Sequence, residues 1–167
     1  MTEPVLAPED PRPYSPGLEG IVAGETSLSY IDGENGRLLY RGYPIGQLVH
    51  AGSYAAVAEL LWTGEWKPDS HLPCAPIPDA VMTALRALPA TAKPMDALRT
   101  AVAAWGAVTN PGWPATADEA RALTAFSPSA LAAFARLRQG LEPIAPDPDL
   151  DLVAGFLYQL NGEPATA

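Results

Sequence analysis

The stretch SYAAVAELLWTG, residues 53–64, identifies the kind of secondary structure that dominates this chain. Its apolar residues recur at the spacing i, i+3, i+4 and i+7 of one helix face: Tyr54, Val57, Ala58 and Leu61. Ser53 is of a residue type that caps helix N-termini, and Gly64 is of a type that ends helices. The stretch therefore predicts a capped helix with one buried side.

Similar helical patterns precede and follow this stretch, and prolines lie at many of their boundaries. The chain has 19 prolines among 167 residues, and proline suits the first turn of a helix but disrupts its interior. We expect about seven helices. The predicted helices cover residues 44–49, 53–64, 79–88, 94–110, 120–126, 127–140 and 147–161.

Two of these helix starts depend on proline and acidic residues. Ser127 and Pro128 are expected to begin a new helix, because proline is favoured at the first helical position. The last helix is expected to begin at residues 147–148, with Asp149 and Asp151 in its first turn, where acidic side chains interact well with the helix dipole.

A short β-hairpin is predicted ahead of the helices. Residues 26–31 alternate polar and apolar side chains, and residues 37–40 form a second β-like segment. Between them, Asp32-Gly33 and Asn35-Gly36 are turn residues. The predicted fold class is therefore mainly α, with many helices behind a short N-terminal β-hairpin.

Composition excludes several classes of function. The net charge of −9 disfavours nucleic-acid binding, and the single cysteine excludes an internal disulfide and a cysteine-cluster metal site. Apolar runs such as residues 101–105 are far too short to span a membrane. Residues 1–16 are rich in proline and acid and show no signal-peptide pattern, so we expect a flexible arm and a cytoplasmic protein.

Few side chains are candidates for chemistry. His50 falls at the end of a predicted helix, where a C-terminal helix charge is its expected role. His71 and Cys74 have a spacing that half a zinc site or a Cys–His nucleophile pair would have. A zinc site lacks its further ligands, and the loop shows no sign of the rigidity that a nucleophile needs, so both alternatives are disfavoured. Trp62 and Trp66 are expected to be the more exposed aromatic residues. These patterns specify no catalytic, cofactor-binding or metal-binding residue.

A set of short segments lies along the chain in a distinctive order: GLEG at 17–20, ETS at 25–27, SYIDG at 29–33, GRLLYRGY at 36–43, ELLWTGE at 59–65, PMDALRT at 94–100 and FLYQLNG at 156–162. In these segments and their order, the chain from residue 17 to its end resembles the N-terminal part of the citrate synthase family. The resemblance is weaker between residues 107 and 139, where residues 134–138 only loosely match an arginine- and leucine-rich helix of the family.

The resemblance implies a nearly all-helical, dimeric enzyme that joins acetyl-CoA to oxaloacetate and releases citrate and CoA without a metal. In the family an aspartate removes the methyl proton, two histidines polarise the reacting carbonyls, and arginines hold the carboxylates. Those groups lie beyond the FLYQLNG segment, after which this sequence has five residues. The resemblance therefore assigns no catalytic residue and no bound cofactor to residues 17–167.

Two interpretations follow from the lack of catalytic residues in residues 17–167. In the first, residues 17–167 are the N-terminal portion of a citrate synthase-like enzyme, either a truncated product or one chain of a split enzyme, which would form a homodimer or associate with a chain that carries the C-terminal half. In the second, the chain is a non-catalytic helical module for dimerisation or interaction. The choice between acetyl-CoA and propionyl-CoA stays open.

Overall fold

The computed structural model describes residue 17, residues 20–22 and residues 24–163, and the predicted arm at residues 1–16 lies outside them. This part of the chain is mostly helical and carries one small antiparallel sheet, as the sequence predicts. Its elements are β1 (Ser29–Asp32), β2 (Arg37–Tyr40), β3 (Tyr43–Pro44), α1 (Ile45–Ala51), α2 (Tyr54–Thr63), α3 (Asp79–Ala87), α4 (Pro94–Thr109), α5 (Ala117–Leu137) and α6 (Leu152–Asn161).

The predicted hairpin is present, and a third short strand extends it. β1 pairs with β2 antiparallel, and the backbone N–H and the side-chain amide of Asn35 donate to the Asp32 carboxylate and close the turn. The chain then reverses at Arg41 and Gly42, which both have positive φ, so that β3 pairs with the end of β2. The sequence did not predict this second turn, because Arg41 is not a residue type that favours positive φ.

The two helices predicted at residues 120–126 and 127–140 are one helix, α5, in the structure. The described residues therefore contain six helices, where seven were predicted. The sequence predicts a new helix at Ser127 and Pro128, but Pro128 lies inside one continuous helix of 21 residues. Proline removes an N–H donor and crowds the carbonyl four residues earlier. Near this interruption, the Ala125 carbonyl accepts a hydrogen bond of 2.9 Å from the Ala75 N–H in the loop before α3.

Burial explains why the helix continues through the proline. The segment around Pro128 carries seven buried residues, so tertiary packing outweighs the local preference for a helix start. Those residues are Ala125, Phe126, Ser129, Ala130, Ala132, Ala133 and Phe134.

Helix α5 is the centre of the fold, because it contacts α2, α3, α4 and α6. The main core lies between α3, α4 and α5, where the rings of Trp105 and Phe126 stack with their centroids 5.9 Å apart. The other buried residues of this core are Val81, Leu85, Ala97, Ala101, Ala130, Ala133 and Phe134.

The last helix begins later than the sequence predicts. Asp147 forms a turn in which its side chain accepts from the Asp149 N–H at 2.9 Å, and only Asp151 caps a helix. The Asp151 carboxylate accepts from the N–H groups of Val153 and Ala154, so Asp149 and Asp151 lie before the first turn of α6. Asp147 and Asp151 can each accept hydrogen bonds from nearby N–H groups, and the sequence pattern alone did not indicate which of them caps the helix.

Candidate functional site

The two histidines and the cysteine lie in different settings and form no catalytic group with one another. His50 is exposed in the last turn of α1, which is where the sequence places it. His71 and Cys74 lie in the loop between α2 and α3, and each bonds the segment at the start of α6. His71 Nε2 donates to the Pro148 carbonyl at 2.9 Å, and Cys74 Sγ donates to the Leu152 carbonyl at 3.4 Å.

Cys74 is a poor candidate for a nucleophile. Its side chain is 4% exposed, and burial raises the pKa of its thiol, with the Asp151 carboxylate acting in the same direction. The thiolate is the reactive form, so a raised pKa lowers reactivity at neutral pH. Cys74 also lies against α6, because a Cβ at Gly155 would be only 3.2 Å from its sulfur. The residue therefore packs the loop against α6.

The loop and the first residues of α2 and α6 enclose a cleft of about 540 Å³, which we call the His71 cleft. It combines hydroxyl, imidazole and carboxylate groups with aromatic and aliphatic side chains. Its main lining residues are Ser53, Tyr54, Asp69, His71, Asp151 and Val153. The Ser53 hydroxyl and the Asp151 carboxylate already accept hydrogen bonds from the helices that they cap.

The described residues give the His71 cleft no metal site. No three of their histidine, cysteine, aspartate and glutamate side chains lie close enough together to hold an ion. The pairing of His71 with a backbone carbonyl also fixes one imidazole nitrogen as a hydrogen-bond donor. The cleft is therefore better suited to binding than to bond-breaking chemistry.

Arg41 anchors the sheet to α2 and is not placed to hold a substrate carboxylate. Its guanidinium donates to the Ser27 hydroxyl at 3.0 Å and to the Leu61 carbonyl at 2.9 Å. Its Nε is buried without a hydrogen-bond partner. Since both terminal nitrogens already bond the protein, Arg41 serves to position the hairpin.

An ionic network joins α2 to α5. Arg121 donates to the Glu59 carboxylate at 2.7 Å and to Asp118, and its guanidinium carbon lies 5.4 Å from the ring centroid of Trp62. Lys67 lies on the other side of Glu59, at 3.8 Å. The sequence could not reveal this network, because Glu59 and Arg121 are 62 positions apart and no local pattern links them.

The tryptophans are also placed differently from the expectation. Trp62 and Trp66 are predicted to be the exposed ones, but both are half-buried, Trp62 beneath Arg121 and Trp66 against Tyr43. The tryptophan that faces solvent is Trp113, which is 96% exposed. Trp66, in the loop after α2, is partly covered by Tyr43 and Gly52. These residues are distant from it in sequence, and no local pattern predicts the contacts.

A family model described as citrate synthase, C-terminal domain, matches residues 17–167. The chain belongs to the citrate synthase family. The citrate synthase of Haloferax volcanii is 37% identical to it over 163 residues, which are 88% of this chain and 43% of that enzyme. The 2-methylcitrate synthase of Mycobacterium tuberculosis is 35% identical over the whole of this chain and 45% of its own length.

Solved citrate synthases share the fold. The crystal structure of the citrate synthase from Pyrobaculum aerophilum matches 90% of this chain with a TM-score of 0.75 and 32% identity, and the match covers 42% of that enzyme. The enzyme from Thermoplasma acidophilum, solved as a ternary complex with carboxymethyl coenzyme A and oxaloacetate, matches with a TM-score of 0.73 and 26% identity over 44% of its length. The chain thus spans less than half the length of these citrate synthase relatives.

The structure adds one finding on membranes. In the described part of the chain, no helix is both long enough and apolar enough to cross a bilayer.

Proposed function

We propose that this chain is the N-terminal portion of a citrate synthase-type enzyme and supplies helical scaffold without the reacting groups. One observation carries the proposal: the chain matches citrate synthases with the same fold but spans less than half of their length. The structure adds support, because His50 lies exposed at a helix end and His71 bonds a backbone carbonyl.

The reaction proposed for the complete enzyme joins the α-carbon of an acyl-CoA, the carbon next to the thioester carbonyl, to the ketone carbon of oxaloacetate. A base removes a proton from this α-carbon, the resulting enol attacks the ketone, whose oxygen takes up a proton, and water then cleaves the thioester to release CoA. The proposed acyl donor is acetyl-CoA or propionyl-CoA, since this chain matches both citrate synthases and 2-methylcitrate synthases. We assign the base and the carbonyl-polarising groups to the remainder of the enzyme.

The test is to measure CoA release with a thiol reagent. The purified chain, mixed with acetyl-CoA or propionyl-CoA and oxaloacetate, should release no thiol above the blank. The chain should give turnover when it is mixed with the part of the M. tuberculosis 2-methylcitrate synthase that lies outside its match to this chain, produced as a separate polypeptide. Turnover by the chain alone would refute the proposal.

The same experiment tests the alternative of a non-catalytic interaction module. The observation that favours this alternative is the exposure of large apolar side chains on several helices of the described region, among them Val49, Tyr54 and Met95. Association with the second polypeptide without any thiol release would assign the chain to this class.

A further inference from the structure

Two clefts meet at the start of α2. The first is the His71 cleft, and the second, of about 240 Å³, lies between β2, α1 and α2 and is mainly apolar. Its lining includes Tyr40, Ile45, Leu48, Val49, Tyr54 and Val57. Ser53 and Tyr54 line both clefts, so the two clefts are direct neighbours. We call the two clefts together the Tyr54 surface.

Large apolar side chains stand exposed along the Tyr54 surface. Tyr54 is 56% exposed, Val49 in α1 is 70% exposed and Val153 in α6 is 56% exposed. The helices that carry them bury other residues in the core, such as Leu60 in α2 and Gln159 in α6. The three exposed side chains are therefore not needed to hold these helices together, and such a patch is typical of an interaction site.

We infer that the Tyr54 surface is where the remaining polypeptide of the enzyme packs against this chain, an inference that rests on the proposed function. More than half of the length of the matched citrate synthases has no counterpart in this chain, and in each of them it belongs to the same folded chain as the matched part. A concave surface with an aromatic residue at its centre suits that packing, since aromatic anchors dominate the energy of many interfaces.

The chemistry of the surface defines the segment that fits it. The cleft beside α1 takes apolar side chains, whereas the His71 cleft presents the carboxylates of Asp69 and Asp151. The net charge of −9 adds a field that attracts cationic groups. The partner segment therefore carries apolar side chains that flank Tyr54 and a basic side chain opposite the two aspartates.

Three single substitutions test the inference. Tyr54→Glu and Val153→Glu place a charge on the surface at the first residue of α2 and the second residue of α6, where a carboxylate favours the helix. Met95→Glu is the matched control, because Met95 is also the second residue of a helix, α4, and is 67% exposed away from the Tyr54 surface. Far-UV circular dichroism verifies that each variant folds.

Binding is measured by titrating the chain with the separately produced remainder of the M. tuberculosis enzyme. Tyr54→Glu and Val153→Glu should each raise the dissociation constant by more than about tenfold. The dissociation constant of Met95→Glu should stay within about twofold of that of the unsubstituted chain. As a second measurement, hydrogen exchange in a fusion of the two polypeptides should show slower exchange at residues 45–57 and 152–154 than in the chain alone.

The outcomes separate this inference from the proposed function. If the two polypeptides form an active complex but all three variants bind like the unsubstituted chain, the packing site lies elsewhere and the proposed function stands. If neither the mixture nor the fusion shows turnover or protection, both are refuted. If the chain alone dimerises and Tyr54→Glu abolishes the dimer, a second copy occupies the surface and the inference is wrong.

Discussion

At the scale of single residues, the space around a glycine decides whether a side chain can be added. Gly52 lies between α1 and α2, and a Cβ there would overlap with Cη2 of Trp66 and lie 3.3 Å from the Leu48 carbonyl oxygen. Its φ of −138° is accessible to any residue, so space and not backbone strain requires glycine. Gly46, inside α1, has no atom within 4 Å of such a Cβ.

We therefore expect opposite effects from the same substitution at the two glycines. Gly52→Ala should destabilise the fold by about 1–3 kcal/mol, because the Trp66 ring must move. Gly46→Ala should stabilise it by about 0.5–1 kcal/mol through helix propensity. Urea denaturation followed by circular dichroism measures both. A Gly52→Ala variant as stable as the original, with unchanged tryptophan fluorescence, would contradict the close packing of Trp66.

At the scale of secondary-structure elements, the start of α5 contains a carboxylate that accepts three hydrogen bonds. Glu119 accepts from the Thr116 N–H at 2.7 Å, from the Gly112 N–H at 2.8 Å and from the Thr116 hydroxyl at 2.9 Å. The bond from the Thr116 N–H is the largest cause that holds the pKa of Glu119 below its ordinary value of 4.5. The charged carboxylate is thus the form that the folded helix prefers.

This lowered pKa predicts how stability depends on pH. Because the folded state binds the Glu119 proton less tightly than the unfolded state, the carboxylate stabilises the fold above its unfolded pKa. That contribution is lost as pH falls through the lower folded pKa. We expect the urea midpoint of the unsubstituted chain to fall more steeply below about pH 4.5 than that of Glu119→Gln.

The control for this measurement is Glu34→Gln, which removes one carboxylate from the exposed hairpin turn. It should leave the steep acid dependence in place. If Glu119→Gln and the unsubstituted chain lose stability in parallel as pH falls, the Glu119 carboxylate does not supply the pH dependence.

The helix boundaries show how much of the fold was predictable. The caps at Ser53 and Gly64 were predicted correctly, because a cap depends on residues within about four positions. The helix start predicted at Pro128 was wrong, since burial on both sides of it keeps α5 continuous. Local sequence therefore predicts where helices can end, while packing between distant residues decides whether they do.

The candidate site was harder to predict than the helix caps, because it depends on contacts between residues that are distant in sequence. The His71 cleft lies between segments that are distant in sequence, and His71 bonds Pro148, 77 positions further along the chain. No local motif connects these two residues. Family resemblance, which reflects the whole fold, was predictable from ordered segments, whereas the clefts required three-dimensional contacts.

At the scale of the whole molecule, charge opposes contact between the exposed apolar side chains. The net charge is −9 at neutral pH, and the isoelectric point is about 4.5. Repulsion between like-charged molecules therefore weakens as pH approaches that value. We expect light scattering to show reversible association near pH 4.5 and much less at neutral pH.

Two controls distinguish this association from acid unfolding. The far-UV helix signal should persist at the isoelectric point, and return to neutral pH should restore the original scattering. Loss of the helix signal before scattering rises would show that unfolding, and not charge neutralisation, causes the association.

The buried amide of Gln159 has a consequence for how the molecule meets a partner. Its Oε1 accepts from the Ser129 hydroxyl and its Nε2 donates to the Ile144 carbonyl, each at 3.1 Å. These two bonds join α6 to α5 and to the loop before α6, and so restrict rotation of α6 about its own axis. We therefore expect Val153, exposed on the same helix, to keep its direction towards solvent. A surface that is rigid before contact loses little conformational entropy on association, so this amide, which does not line the Tyr54 surface, preorganises it for the proposed partner.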